Sequence, residues 1–339
     1  MTMTTVVTGA SGHIGANLIR ALLARGRKVR ALHHVNRRAI ENLDVEIVPG
    51  DVCNPSSLRE AFKGAEVVYH LAARISLSMD DWPLIEPINV TGTRNVVQAC
   101  LDCGVRRLVH FSSIHAFKQE SSGMAIDESC PLVEPPRCSP YDRSKAAGEK
   151  EVRRGIERGL DAVIISPTAV IGPHDYEPSF LGEALLNLAR GKMPALVAGG
   201  FDWVDVRDVV EGAIRAESQA PTGAKYLLSG HWVSVSDLAV LVEEIIGTPA
   251  PNLVLPRWLA YVGAPFMAGF AQLTGKRPLY TSASIRALCS SQNVSYEKAA
   301  GELGYHPRPL RETIVDTFQW FHESGYLDSP VKPQSNERK

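Results

Sequence analysis

The sequence predicts an α/β protein, a doubly wound parallel sheet followed by a smaller, mostly helical C-terminal domain. Three observations carry this. Short β-branched runs alternate with amphipathic segments over the first half of the 339-residue chain, a glycine-rich turn joins the first run to the first helix, and after Pro167 the alternation gives way to proline- and glycine-rich sequence. Strands separated by helices pair in parallel through right-handed crossovers, which cover both faces of the sheet.

In chain order, Thr4 to Thr8 reads as a strand, and Ile14–Arg25 sets Ile14, Leu18, Ala21, Leu22 and Ala24 on one helical face that Gly26 ends. Val29–His33, Val45–Val48, Val67–Leu71, Leu108–Phe111 and Ala162–Ile165 read as further strands. Ser56–Lys63 after Pro55, Ile85–Cys103 and Tyr141–Arg158 read as the helices between them. The nearly continuous apolar run from Val67 to Ala72 fits a strand buried on both sides. Beyond Pro167, Trp203–Val206 reads as a strand, Val209–Ala216 as a helix, and Lys225–Leu228 as a strand returning to the main sheet. Ser236 to about Phe321 is mostly helical and broken by prolines. Residues 1–167 with about 202–231 are therefore expected to form the sheet domain, about 168–201 with 232–328 a substrate domain closing over one end of it, and 329–339 a flexible tail.

The 36 Lys and Arg nearly cancel the 37 Asp and Glu, which removes bulk charge as a route to nucleic acid. With 45% hydrophobic and 22% charged residues the chain is an ordinary globular one. The start MTMTTVVTGASG has neither a basic opening nor an apolar stretch of signal-peptide length, so a cytoplasmic protein is expected. Six scattered cysteines are too few for a disulfide framework. Cys100 and Cys103 have the spacing of a redox pair, but they close a helical pattern, where the dipole raises a thiol pKa, and no second pair completes a zinc site. No metal is expected. The longest uncharged run, Trp258 to Thr274, falls short of the ~20 residues that span a bilayer. It reads as a buried helix or the wall of an apolar pocket, with contact at a membrane surface as the alternative.

Gly9, Gly12 and Gly15, in TGASGHIG, sit between the first strand and the first helix. Glycines there permit the tight turn and let backbone N–H groups approach a pyrophosphate, and the helix N-terminus favours its charge. A carboxylate that binds an adenosine ribose hydroxyl belongs ~20 residues on, at the end of the second strand. That position carries His33, His34, Arg37 and Arg38 and no acid, which suits a 2′-phosphate and favours NADP, with NAD as the alternative. Asp51 and Val52 end the third strand, where the acid is placed to accept from an adenine amino group.

Of nine tyrosines only Tyr141 has a lysine four residues later, and on a helix that spacing puts Tyr141 and Lys145 on one face. A free phenol titrates near ~10, so an adjacent ammonium is expected to lower it toward proton transfer with a carbonyl or alcohol oxygen. Ser112 and Ser113 follow the strand Leu108–Phe111, and open α/β sheets place ligands at that end. Ser113 is the expected second donor, and Asn89 is expected to hold a water or a backbone carbonyl near Lys145.

The motifs TGASGHIG, GDV at Asp51, HLAA at His70–Ala73, NVTGTRN from Asn89, FSSI at Phe111, YDRSK at Tyr141 and WVDVRDV from Trp203 resemble, in order and spacing, those of the extended short-chain dehydrogenase/reductases. The runs LDVEIVPGD, PTAVIGP and LPRWLA are similar to the dihydroflavonol-reductase-like and hopanoid-associated epimerase-like branch. The resemblance covers nearly the whole chain. It implies a Rossmann fold, catalytic Ser113, Tyr141 and Lys145 supported by Asn89, and a homodimer formed by the helices carrying Asn89 and Tyr141. It also implies cofactor contacts at Gly9, Ser11, Gly12, His13, Ile14, Gly15, Leu71, Ala72, Ala73, Pro167 and Thr168. His13 stands where the family often has Phe, which alters pocket polarity.

Sugar-nucleotide enzymes of this family commonly carry an arginine before the Val-x-Asp segment to grip the diphosphate. Here Phe201-Asp202-Trp203 fills that stretch, which disfavours such a substrate unless Arg257, Arg277 or Arg286 compensates. The expectation is therefore an NADP-dependent enzyme that reduces a ketone or aldehyde of a moderately apolar small molecule, or oxidises the alcohol. His115, His174 and Trp203 are expected near the substrate. The alternatives are a nucleotide-sugar epimerase or dehydratase with tightly held NAD and a non-catalytic NADP sensor.

Overall fold

The alternation condenses into β1 (Thr4–Thr8), α1 (His13–Ala24), β2 (Lys28–His33), β3 (Glu46–Pro49), α2 (Pro55–Phe62), β4 (Val67–His70), α3 (Trp82–Glu86), a π-helical turn (Pro87–Thr91), α4 (Gly92–Asp102), β5 (Arg107–Phe111), α5 (Pro140–Glu157) and β6 (Ala162–Pro167). Next come β7 (Ala169–Ile171), α6 (Phe180–Ala189), β8 (Leu196–Val197), β9 (Gly200–Asp205), α7 (Val206–Gln219) and β10 (Lys225–Leu228). The chain ends with β11 (His231–Ser234), α8 (Val235–Ile246), β12 (Val254–Leu255), α9 (Glu297–Leu303) and α10 (Leu310–Glu323). The structure is a computed structural model and describes residues 3–331 apart from 35, 77, 119–124, 136–137, 261, 263–284, 286–287, 289–292 and 329–330. Arg277, Arg286, most of the uncharged run and nearly all of the expected tail lie outside the described residues.

Seven parallel strands form the main sheet in the order β10-β6-β5-β4-β1-β2-β3. β1 lies between β2 and β4, with Val6 opposite Arg30 on one side and Val68 on the other. From β1 the chain winds outward to β3 and then, beginning again at β4, outward the other way. The reversal opens a crevice beyond the carboxyl ends of β1 and β4, the place where such sheets bind ligands. Leu18, Ile19 and Leu22 of α1 and Val209, Val210 and Ala213 of α7 fill one face of the sheet. Leu58 and Phe62 of α2, Val96 and Val97 of α4 and Val152 of α5 fill the other.

Two elements differ from expectation. Ile85–Cys103 is not one regular helix: Pro87 has no N–H to give, and the ladder re-forms one residue wider, with Gly92 N donating to Pro87 O. Asn89 lies inside that π turn. The strand around Trp203 is not part of the main sheet. β9 pairs in parallel with β7 and antiparallel with β11 in a separate three-stranded sheet, packed on Leu185, Leu238, Phe318 and Phe321. Lys225–Leu228 does return to the main sheet, beside β6. Cys100 is buried, and burial raises both its thiol and that of Cys103, which makes neither a ready nucleophile. Among the described residues no His, Cys, Asp and Glu side chains group as a metal site, and no helix is long and apolar enough to cross a membrane.

Candidate active site

A cavity of about 560 Å³ occupies the crevice, a size suited to small organic ligands. The glycine turn forms one end. Gly9 has φ +67°, and a Cβ on Gly15 would fall 2.2 Å from the Gly9 carbonyl oxygen, so the turn closes only without side chains. Gly12 is the N-cap of α1, with no side-chain cap and no acid in the first turn. The first amides of the helix are thus left for an anion, and Gly9, Gly12, His13, Ile14 and Gly15 all line the cavity. This cradle fits a dinucleotide pyrophosphate. His13 Nε2 lies 3.1 Å from Pro173 O, and Asn17 Nδ2 donates to the same oxygen at 2.9 Å, which straps the turn to the chain beyond β7. Asn17 gave no sequence signal.

The middle of the cavity is built by β5 and α5. Ser139 and Asp142 form a reciprocal capping box around Pro140, which fixes the start of α5 and puts Tyr141 in its first turn. Lys145, one turn on, is 8% exposed and donates from Nζ to Phe111 O at 2.7 Å. Ser112, Ser113, His115, Tyr141 and Lys145 line the cavity together with Leu71, Ala73, Pro167 and Thr168. His115 Nδ1 is 3.0 Å from Asp142 Oδ1, and its ring stands edge-on to Tyr141.

The electrostatics correct one expectation. Burial pushes the Tyr141 phenol up to about 12, a hydrogen bond with Ser113 pulling the other way and the Asp142 charge adding to the rise. Burial lowers Lys145 to about 8, opposed by Glu149. The ammonium donates to the Phe111 carbonyl, and desolvation dominates the phenol's shift. Tyr141 therefore stands protonated at neutral pH, and Lys145 mostly charged.

Other expected residues lie elsewhere. Asn89 is not directed at Lys145: Oδ1 accepts from Arg74 N at 2.7 Å, and Nδ2 donates to Arg74 O and to Ser144 Oγ, each at 2.9 Å. It ties the π turn to the loop after β4 and to α5. His174 turns away with φ +64°, stacks on Tyr176 and meets Trp320 edge-on, outside the cavity lining. Trp258 is 67% exposed and is not among the described residues that line the cavity. Trp203 does line the cavity, with Nε1 donating to Val233 O. Ser11, Ala72, Asp51 and Val52 lie outside the lining; Ala72 N donates to Thr8 Oγ1, and Asp51 Oδ1 accepts from Cys53 N. At the end of β2, His34 is 3.7 Å from Asp51, Arg37 donates from Nε to His33 Nε2, and Arg38 lies over the Tyr326 ring.

Past Tyr141 the walls are mainly apolar. Ile75, Ile114, Phe180, Leu185, Leu188, Met193, Val197 and Phe201 line them, with Asp175, Glu177, Glu183 and Asn187 as polar interruptions, and Lys145 is the one Lys or Arg on the lining among the described residues. Asp202, in the stretch where an arginine was sought, accepts from Thr168 Oγ1 and Gly230 N, each at 2.7 Å.

A doubly wound sheet with a glycine cradle at its switch point, and a phenol, a hydroxyl and an ammonium around the adjoining space, defines the class of nicotinamide-dependent enzymes. The model of the NAD dependent epimerase/dehydratase family matches residues 5–228, and the chain belongs to that family, the extended short-chain dehydrogenase/reductases. It is an NAD(P)-dependent enzyme. The chain is 37% identical to "Sterol demethylase protein B" of Methylococcus capsulatus, over 96% of this chain and 100% of that one. It is 32% identical to a "Putative dihydroflavonol 4-reductase" of Synechocystis, over 95% of each. The solved structure titled "Crystal structure of gox2253" superposes with a TM-score of 0.84 at 35% identity, covering 96% of this chain and 99% of that one.

Proposed function

We propose that the protein is an NADP-dependent carbonyl reductase, acting on a ketone or aldehyde of a moderately apolar small molecule or on the corresponding alcohol in reverse. One observation carries this reading: a single cavity joins the glycine cradle to Ser113, Tyr141 and Lys145, and beyond them offers a mainly apolar wall with no second Lys or Arg among the described residues. Among the described residues a diphosphate bound there would find no Lys or Arg beyond Lys145 to give a charge-assisted bond, which contributes roughly 1.5–3 kcal/mol, and would meet Asp175, Glu177 and Glu183 instead, which argues against a nucleotide sugar. The sterol and dihydroflavonol in the relatives' names are both neutral polycyclic compounds, in keeping with such walls.

Gly9, Gly12 and Gly15 would hold the pyrophosphate of a nicotinamide dinucleotide, whose chemistry when bound would be to give or take the hydride. Ser113 Oγ and the Tyr141 hydroxyl hold the substrate oxygen, and Tyr141 gives it the proton. A phenol near 12 is fully protonated at neutral pH, so it is ready as an acid, which suits reduction. Lys145 supplies the positive charge that stabilises the phenolate left behind. In this reading residues 1–167 with about 202–231 hold the cofactor, and about 168–201 with 232–328 shape the substrate site.

The test is a panel of neutral polycyclic and aromatic carbonyl compounds, read by loss of reduced-nicotinamide absorbance with each coenzyme. Turnover with NADPH supports the reading. Tightly bound NAD in the purified protein together with turnover of a UDP- or dTDP-sugar overturns it. For the coenzyme, His34, Arg37 and Arg38 are proposed to meet the 2′-phosphate. Replacing both arginines by alanine is expected to weaken NADPH binding by roughly tenfold or more through lost charge-assisted bonds and to leave NADH binding nearly unchanged. Equal losses in a fluorescence titration would place the phosphate elsewhere.

A further inference from the structure

One turn beyond Lys145 on α5, Glu149 is fully buried at 0% exposed, and none of the chemistry proposed above uses it. Its Oε1 accepts from Lys225 Nζ and from Arg153 Nη2, each at 2.9 Å, and its Oε2 accepts from Ser112 Oγ at 3.3 Å. Lys145 and Glu149 are thus anchored on consecutive residues at the end of β5, the ammonium on the Phe111 carbonyl and the carboxylate on the Ser112 hydroxyl. With water excluded on that side, the field of the carboxylate reaches the ammonium with little screening. We propose that Glu149 is a positioning residue for Lys145, keeping its ammonium charged beside Tyr141; the inference rests on the roles given above to Tyr141 and Lys145.

Among the described residues, Glu149 is the one charged group that acts on Lys145. His70 of β4 and His110 of β5 are buried and kept neutral by desolvation. Tyr141, on α5, is protonated. Glu149 is the group whose charge raises Lys145 against burial. On its far side Glu149 faces Lys225 of β10 and Arg153 of α5, and Glu128 acts on Lys225 in turn. Lys225, over the Phe117 ring, and Arg153 both pair with the carboxylate inside the fold, so loss of either leaves it a cationic partner.

Competitive labelling with trace acetic anhydride from pH 6 to 11, read on the Lys145 peptide by mass spectrometry, follows this ammonium without any substrate. In the unaltered protein Lys145 is expected to titrate near 8, and in Glu149→Gln about one unit lower or more. Lys225→Met breaks the same buried ion pair but keeps the carboxylate, so Lys145 is expected to stay in place or rise. The double variant Glu149→Gln/Lys225→Met removes both buried charges. It is expected to recover thermal stability lost in Glu149→Gln while Lys145 stays low, which separates the effect from a merely structural one. An unchanged Lys145 titration in both variants lacking the carboxylate overturns the proposal, as does an alkaline limb of kcat/KM that fails to follow the labelling. The reductase reading fails separately, through full turnover in Tyr141→Phe.

Discussion

Replacing Tyr141 with Phe is expected to lower turnover of a carbonyl substrate by about 10²–10⁴-fold, the usual contribution of a positioned acid, and to leave NADPH affinity within about twofold. The substitution removes one oxygen and keeps the ring against His115. The cofactor cradle at Gly9, Gly12 and Gly15 does not involve the phenol. A loss of this size amounts to roughly 3–5 kcal/mol in the barrier, far more than a packing change at a half-buried ring would give. The pH profile adds a second criterion. Tyr141 is held near 12 and Lys145 near 8, so reduction is expected to be level through neutral pH and to fall above about 8, where the ammonium is lost before the phenol ionises. Steady-state rates and a fluorescence titration of NADPH decide the matter. Turnover retained in Tyr141→Phe would remove the phenol from the chemistry.

The parts of this site that were legible in the sequence are those set by local spacing. A glycine turn between a β-branched run and an amphipathic helix locates the sheet's switch point, and a phenol and an amine four residues apart share a face of α5. What depends on distant partners was not legible. Trp203 lies in a strand, but its neighbours are Ala169 and His231, on strands that carried no signal of their own, so it joins a second sheet. His174 follows Gly172-Pro173 like a pocket residue, yet ring stacking on Tyr176 and Trp320 draws it off. Glu149 looks like an ordinary helix glutamate until Ser112, just past β5, and Lys225 of β10 meet it. The direction of the Tyr141 shift was misread because spacing shows the neighbouring charge and not the loss of water that dominates the shift.

That loss of water also makes the protein acid-sensitive. His70 is 1% exposed, with Nδ1 2.8 Å from Thr8 Oγ1 and Nε2 3.0 Å from Thr93 Oγ1. His110 is 3% exposed, its ring centroid is 5.3 Å from that of His70, and neither of its nitrogens has a hydrogen-bond partner among the described residues. Burial, with the Lys145 charge adding to it, lowers His70 to about 3 and His110 well below its ordinary value. Both folded-state values lie below the unfolded one near ~6.5, so as pH falls through 6.5 the unfolded chain takes up protons that the native one refuses. The stability held by the neutral rings is intact above pH 6.5 and drains away down toward 3. At pH 5 His70 has forfeited about 2 kcal/mol and His110 up to about that amount, so the pair takes a large share of a typical 5–15 kcal/mol. His110→Leu removes one of the two groups along with two buried unpartnered nitrogens. Denaturant unfolding is therefore expected to show the variant at least as stable as the unaltered protein at pH 7, with less stability, by up to about 2 kcal/mol, lost between pH 7 and pH 5. An equal loss in both proteins would mean that His110 takes up its proton in the folded state, and that a second positive charge can stand beside Lys145.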